Sequence, residues 1–184
     1  MMPMRPVTVV PVGAFTEACT SNEVPAFTPN VVDSTGTLSP EEKQEINDAL
    51  ATVRAKAGIW GAVYLVDRLD GDSLESLTER AFKKWELGQR GVDNGVLLLL
   101  ALQDRKSRFE IGYGLEGDLP DAYARRALDD VLRPHMREGH VKDAIILSFF
   151  FLAAKKSPDE SFQTAVASAR PAERESGAGA FDPS

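Results

Sequence analysis

The chain has 184 residues, with 28 Asp and Glu against 21 Lys and Arg, and a formal net charge of −7 at pH 7. That length suggests one domain with tails, long enough to bury an ordinary core. An acid excess in which no run of Lys and Arg exceeds a pair excludes a nucleic-acid partner, because phosphate neutralisation needs a basic face. The single cysteine, Cys19, excludes an intramolecular disulfide framework and a cysteine-based zinc site. Only two histidines are present, His135 and His140, which excludes a multi-histidine metal centre.

Residues 1–29 are rich in Pro, Thr and Val without helical or strand period, and read as an extended or disordered arm. Arg5 followed by Val7 to Phe15 resembles a signal peptide only loosely, since Pro11 interrupts the apolar run. Ser39-Pro40-Glu41-Glu42 is a capping box with Pro at the first helical position, and Ile46, Leu50, Val53 and Ala57 continue a helix that Gly58 ends. Trp60 to Val66 reads as a buried strand. Asp72-Ser73-Leu74-Glu75 opens a second helix, with Leu74, Leu77, Ala81, Phe82 and Trp85 on one face and Gly88 past its end.

Val96 to Leu102 is a continuous apolar run between Asp93-Asn94-Gly95 and Gln103-Asp104-Arg105-Lys106, the pattern of a strand covered on both faces. Ser107 to Tyr113 alternates, with Phe109, Ile111 and Tyr113 on one face, and the short polar connection predicts an antiparallel hairpin. A Gly-rich acidic loop follows, and Pro120 starts a third helix that carries Ala124, Leu128, Val131, Leu132 and Met136 inward until Gly139 closes it. Val141 to Lys156 is apolar on nearly every face and predicts a helix sandwiched in the core, too short for the roughly 20 residues of a membrane span. Residues 30–156 thus form the expected domain, residues 157–170 a short helix through Phe162 and Val166, and residues 171–184 a disordered tail. Trp60, Trp85 and Phe149 to Phe151 read as core, and His135 and His140 as partners of a helix C-terminus. Helices before, between and after the strands give an α/β fold, a three-layer α/β/α sandwich around a small mixed sheet.

Carboxylates gather along this order. In an antiparallel hairpin the start of one strand lies beside the end of the other, which brings Asp93 and Asn94 close to Glu116, Asp118 and Asp121. Asp33, just before the first helix, joins them as an expected ligand. Oxygen donors from several loops suit a hard cation, calcium first and magnesium as the alternative. Simpler readings stay open: a tight turn at Asp93-Asn94-Gly95, an Asx-turn at Asp33, and acids favouring a helix N-terminus at Asp118 and Asp121.

Three pieces of this sequence, in this order, resemble the TPM domain family: Trp85-Glu86-Leu87-Gly88, Asp93-Asn94-Gly95 before an apolar strand, and Gly112-Tyr113-Gly114-Leu115-Glu116-Gly117. The resemblance runs from about Val32-Asp33 to about Lys155. It implies a Rossmann-like sandwich and an extracytoplasmic, periplasmic setting, although no clear signal peptide precedes the domain and the cytoplasm stays open. It further implies a calcium-binding interaction or assembly module, a monomer with a membrane-protein partner. The alternatives are a weak metal-assisted acid phosphatase, with Arg105 and Arg108 steadying the phosphate, and a vestigial site with a purely structural role.

Overall fold

A computed structural model describes residues 23–169. Residues 1–22 of the expected arm and the expected tail lie outside that range. The elements in order are β1 (Val31–Asp33), α1 (Pro40–Ala57), β2 (Trp60–Val66), α2 (Leu74–Lys84), β3 (Gly95–Ala101), β4 (Lys106–Ile111), a 3-10 turn at Tyr113–Leu115, α3 (Asp121–Arg126), a π-helical stretch at Ala127–Leu132, α4 (Arg133–Arg137), α5 (Val141–Lys156) and α6 (Glu160–Ala169). The sheet runs β1-β2-β3-β4, parallel through β3 and antiparallel between β3 and β4.

Alternation along the central strands divides the core. Val63 and Leu65 of β2 and Val96, Leu98 and Leu100 of β3 face α1 and the C-terminal helices. Ala62, Tyr64 and Val66, with Leu97, Leu99 and Ala101, face Leu77, Ala81 and Trp85. This is the expected α/β/α sandwich. Since both parallel crossovers step the same way along the sheet but place α1 and α2 on opposite faces, they differ in hand. One of them therefore departs from the strong right-handed preference of such units.

Local chemistry explains most boundaries. Glu42 N donates to Ser39 Oγ at 3.1 Å and Ser39 N to Glu42 Oε2 at 2.9 Å, which fixes the first turn of α1; Gly58, at φ 67°, ends the helix. The helix α5 is apolar all round because it packs against α1, α6 and the π-helical stretch. Its Phe149 is fully buried, edge-on to Phe109 of β4 at 5.5 Å.

Several expectations are corrected. The single helix after Pro120 is three segments, and the widened π turn ends at Leu132, two residues before Pro134, whose ring nitrogen has no hydrogen to donate to Asp130. Tyr113 is not the last residue of a strand but opens the 3-10 turn, 81% exposed. Trp60 is only half-buried, with the Arg54 guanidinium 3.8 Å from its ring centroid. His135 is buried between the Val131 and Ala169 carbonyls, each 2.8 Å from a ring nitrogen, and so ties its helix to α6. The β1 strand had no counterpart in the sequence reading. Residues 23–29 are irregular but docked: Val24 is buried, and Trp85 Nε1 donates to the Pro25 carbonyl at 2.9 Å.

Candidate functional site

Three connections meet where β2 and β3 begin and β4 ends. The α2–β3 connection reaches this end through left-handed residues at Glu86, Gly88, Gly91 and Asp93, an unusual density for so short a segment. Asn94 then fixes it from inside. Its Nδ2 donates to the Gly58 carbonyl at 2.7 Å, its Oδ1 accepts from Gln89 N at 2.7 Å, and its own carbonyl accepts from Trp60 N at 2.9 Å. The side chain is buried and both ends are used, so Asn94 holds the scaffold of the site and does not serve as the supporting ligand expected from the sequence.

The Gly112-to-Gly117 loop lies directly on this connection. Gly112 N donates to the Gly95 carbonyl at 2.7 Å and Gly114 N to the Asp93 carbonyl at 3.0 Å. A Cβ on Gly112 would overlap the Asp93 carbonyl oxygen, and one on Gly114 the Val92 carbonyl oxygen. Only glycine lets the two backbones come this close. Tyr113, between these two glycines, is exposed, and so is Val92 on the facing connection, at 49%.

The six expected ligands separate in this frame. Asp93 and Glu116 lie exposed on the two apposed loops, and among the described residues no hydrogen bond or ion pair engages either carboxylate. Asp118 follows Glu116 but pairs with Lys156 Nζ at 2.9 Å, which ties the loop to the end of α5. Asp121 stands in the first turn of α3 and lines a cavity of about 280 Å³ together with Arg108 and Arg125.

Asp33 is a correction. It pairs in register with Leu65, and Leu65 with Leu100, so it sits at the far end of the sheet, roughly 20 Å along the strands from Asp93. Its carboxylate, with no exposed side-chain surface, accepts from Thr35 N at 2.8 Å, Thr35 Oγ1 at 2.6 Å, Gly36 N at 3.1 Å and Leu38 N at 3.0 Å, with Lys43 Nζ at 3.7 Å. The Asx-turn reading describes it, and the bonds order the entry to α1. Burial pushes its pKa up, but the hydrogen bonds from Thr35 and Leu38 and the charge of Lys43 outweigh this and hold it below the ordinary 3.8.

A closed cage therefore does not fit, and among the described residues no three Asp, Glu, His or Cys side chains gather around one point. Of the expected ligands, Asp93 and Glu116 are the two whose carboxylates stand exposed on the apposed loops, and an ion held there would take most of its shell from water and backbone carbonyls. Arg105 and Arg108 line different cavities. Arg108 pairs with Glu110 at 3.3 Å and shares a cavity with Asp121, whereas Arg105 is grouped with Lys106, Arg133 and Arg137. That basic grouping was missed in the sequence; Arg105-Lys106 beside a turn and Arg133 with Arg137 at one helical spacing were the available signals.

Comparison with known proteins bears on the same loops. The family model of the TPM domain matches residues 31–149, a span that contains all of them. The chain is similar to the N-terminal domain of a protein from P. gingivalis solved in solution by NMR, with 32% identity, a TM-score of 0.63, and 74% of this chain and 85% of that one covered. It also shares its fold with the N-terminal domain of the cg2496 protein of Corynebacterium glutamicum (23% identity, TM-score 0.55, 75% and 87% covered). The BA42 protein of Bizionia argentinensis is a third neighbour in fold (13% identity, TM-score 0.58, 70% and 86% covered). No curated protein matches the chain.

Gly114→Ala forces the two backbones apart and lowers stability by about 1–3 kcal/mol, as expected for an overpacked contact, measured by urea unfolding. Asp33→Asn lowers stability by about 2 kcal/mol at neutral pH, the scale of lost hydrogen bonds to a buried charge. Because the folded carboxylate binds its proton less tightly than the unfolded one, its contribution is complete above about pH 4 and disappears as pH falls through the folded pKa. Unfolding curves between about pH 2 and 7 should show wild type converging on the variant at the acid end.

Proposed function

The chain belongs to the TPM domain family, and from that we propose that it works as a cation-regulated interaction module whose working surface is the loop pair 88–94 and 112–118. Calcium is the ion, held weakly by Asp93 and Glu116 with backbone carbonyls and water, and Asp118 joins when it leaves Lys156. Binding stiffens the loops and sets the orientation of Tyr113 and Val92, which meet an apolar element of a membrane-protein partner outside the cytoplasm. The observation that carries this reading is the overlap-close contact of Gly112 and Gly114 with the backbone of Val92 and Asp93. It joins in one place the acidic residues and two exposed apolar side chains, a combination in which charge binding can alter a protein-binding surface.

A second reading, a weak metal-assisted phosphatase, draws support from a different observation. Arg108, Arg125 and Arg133 line the same small cavity as Asp121, so cations that would steady a phosphoryl group stand beside a carboxylate that would help hold an ion. No helix among the described residues is long and apolar enough to cross a membrane.

Calorimetric titration of the demetallated protein separates these readings. The module gives saturable calcium heat with a Kd on the order of 10⁻⁴ to 10⁻³ M, the range of open extracellular-type sites. Magnesium binds more weakly, Asp93→Asn abolishes the heat, and Asp33→Asn leaves it unchanged. No heat with either ion removes the cation from the account. Metal-dependent hydrolysis of p-nitrophenyl phosphate that is lost in Arg108→Gln would instead favour the enzyme.

A further inference from the structure

The opposite end of the sheet has the opposite chemistry. There the β3–β4 turn, α4 and the end of the π-helical stretch enclose a cavity of about 550 Å³. Arg105, Lys106, Arg133 and Arg137 line it, Leu102 and Met136 supply apolar wall, and among the described residues no carboxylate lines it. In a chain with 28 acids and 21 bases this is not a typical sample of the surface.

The fold sorts the turn residues to produce it. Asp104 Oδ2 accepts from Leu69 N at 2.7 Å, and Gln103 Oε1 accepts from Arg68 Nε at 2.5 Å, so the acidic and neutral residues of the turn are held on the β2–α2 side. Arg105 and Lys106 are left to the α4 side. Arg105 adopts φ 53°, a left-handed conformation that glycine or asparagine would take with less strain, yet a long cation occupies it. Asp129, which pairs with Arg133, lines the neighbouring cavity and not this one. Attraction to a helix C-terminus accounts for Arg137, but not for two cations on a hairpin turn.

We propose that this cavity is an anion site that takes a phosphate monoester, with the four cations around the phosphoryl oxygens and Leu102 and Met136 against the organic part. Arginine forks suit the planar pairs of phosphoryl oxygens and lysine adds a point charge, while the apolar wall favours an ester over free phosphate. The site is independent of the cation site, since the length of β3 lies between them. A free organic phosphate and a phosphatidate headgroup share the required chemistry.

Titration of the full chain with phenyl phosphate and with inorganic phosphate, followed by calorimetry at low salt, tests the proposal. Phenyl phosphate should bind saturably and more tightly than inorganic phosphate, and about 200 mM NaCl should weaken it several-fold. The exposed double substitution Lys106→Gln with Arg137→Gln should weaken it about tenfold or more, the scale of losing two charge-assisted contacts. Arg105→Gln alone should weaken it in the same direction, and Lys83→Gln with Lys155→Gln, elsewhere on the surface, should not. Absence of saturable binding, binding unchanged in both groove variants, or equal weakening by the control pair overturns the proposal. Sedimentation with phosphatidylcholine vesicles containing phosphatidate assigns the source: co-sedimentation lost in the double variant identifies the lipid headgroup, and binding of phenyl phosphate alone identifies a soluble ester.

Discussion

One carboxamide holds together the connections that meet at one end of the sheet. Asn94 links the end of α1, through the Gly58 carbonyl, to the α2–β3 connection, through the Gln89 amide, while its own carbonyl receives Trp60 N at the start of β2. The α1 and α2 helices lie on opposite faces of the sheet, so without this link the two crossovers would meet at the sheet end only through irregular backbone. A buried amide whose donor and acceptor are both satisfied is geometrically demanding and costly to disrupt. The contact of Gly95 with Gly112, and hence the placement of the acidic loop, follows from where Asn94 sets the start of β3.

The consequence is a domain with two chemically different ends. At one end exposed carboxylates stand on two backbones pressed together, with Tyr113 and Val92 displayed beside them. At the other, a basic cavity opens between the hairpin turn and α4, and Asp33 is enclosed by its own turn. Strands only six or seven residues long keep these ends about 20 Å apart, beyond a Debye length at physiological salt. The direct electrostatic influence of one end on the other is therefore small, and any communication has to pass through packing.

Much of this was legible in the sequence, for reasons that differ by element. The Ser39 capping box, the apolar runs of β2 and β3 and the all-round apolar α5 are local signals, and the structure places them as read. The β1 strand, Val31–Asp33, is too short to show a period, and missing it concealed the geometry of Asp33. With β1 and β3 parallel, a residue at the end of one and a residue before the start of the other stand at opposite ends of the sheet. The grouping of Asp33 with Asp93 relied on loop membership without that direction. Asn94 was misassigned for a related reason: its polar side chain beside a turn resembles a ligand, and only the tertiary fold shows it buried between two backbones. The basic cavity joins a turn to a helix some thirty residues later, which no local pattern encodes.

On our reading, the loop pair at the start of β3 is the cation-responsive surface of this domain. Amide chemical shifts followed by NMR during a calcium titration test it most directly. Shifts should concentrate in residues 89–94 and 112–118, with a smaller response at Lys156 as Asp118 leaves it, and none in residues 33–38. Shifts centred on Asp33, or spread evenly over the acidic surface, would contradict it.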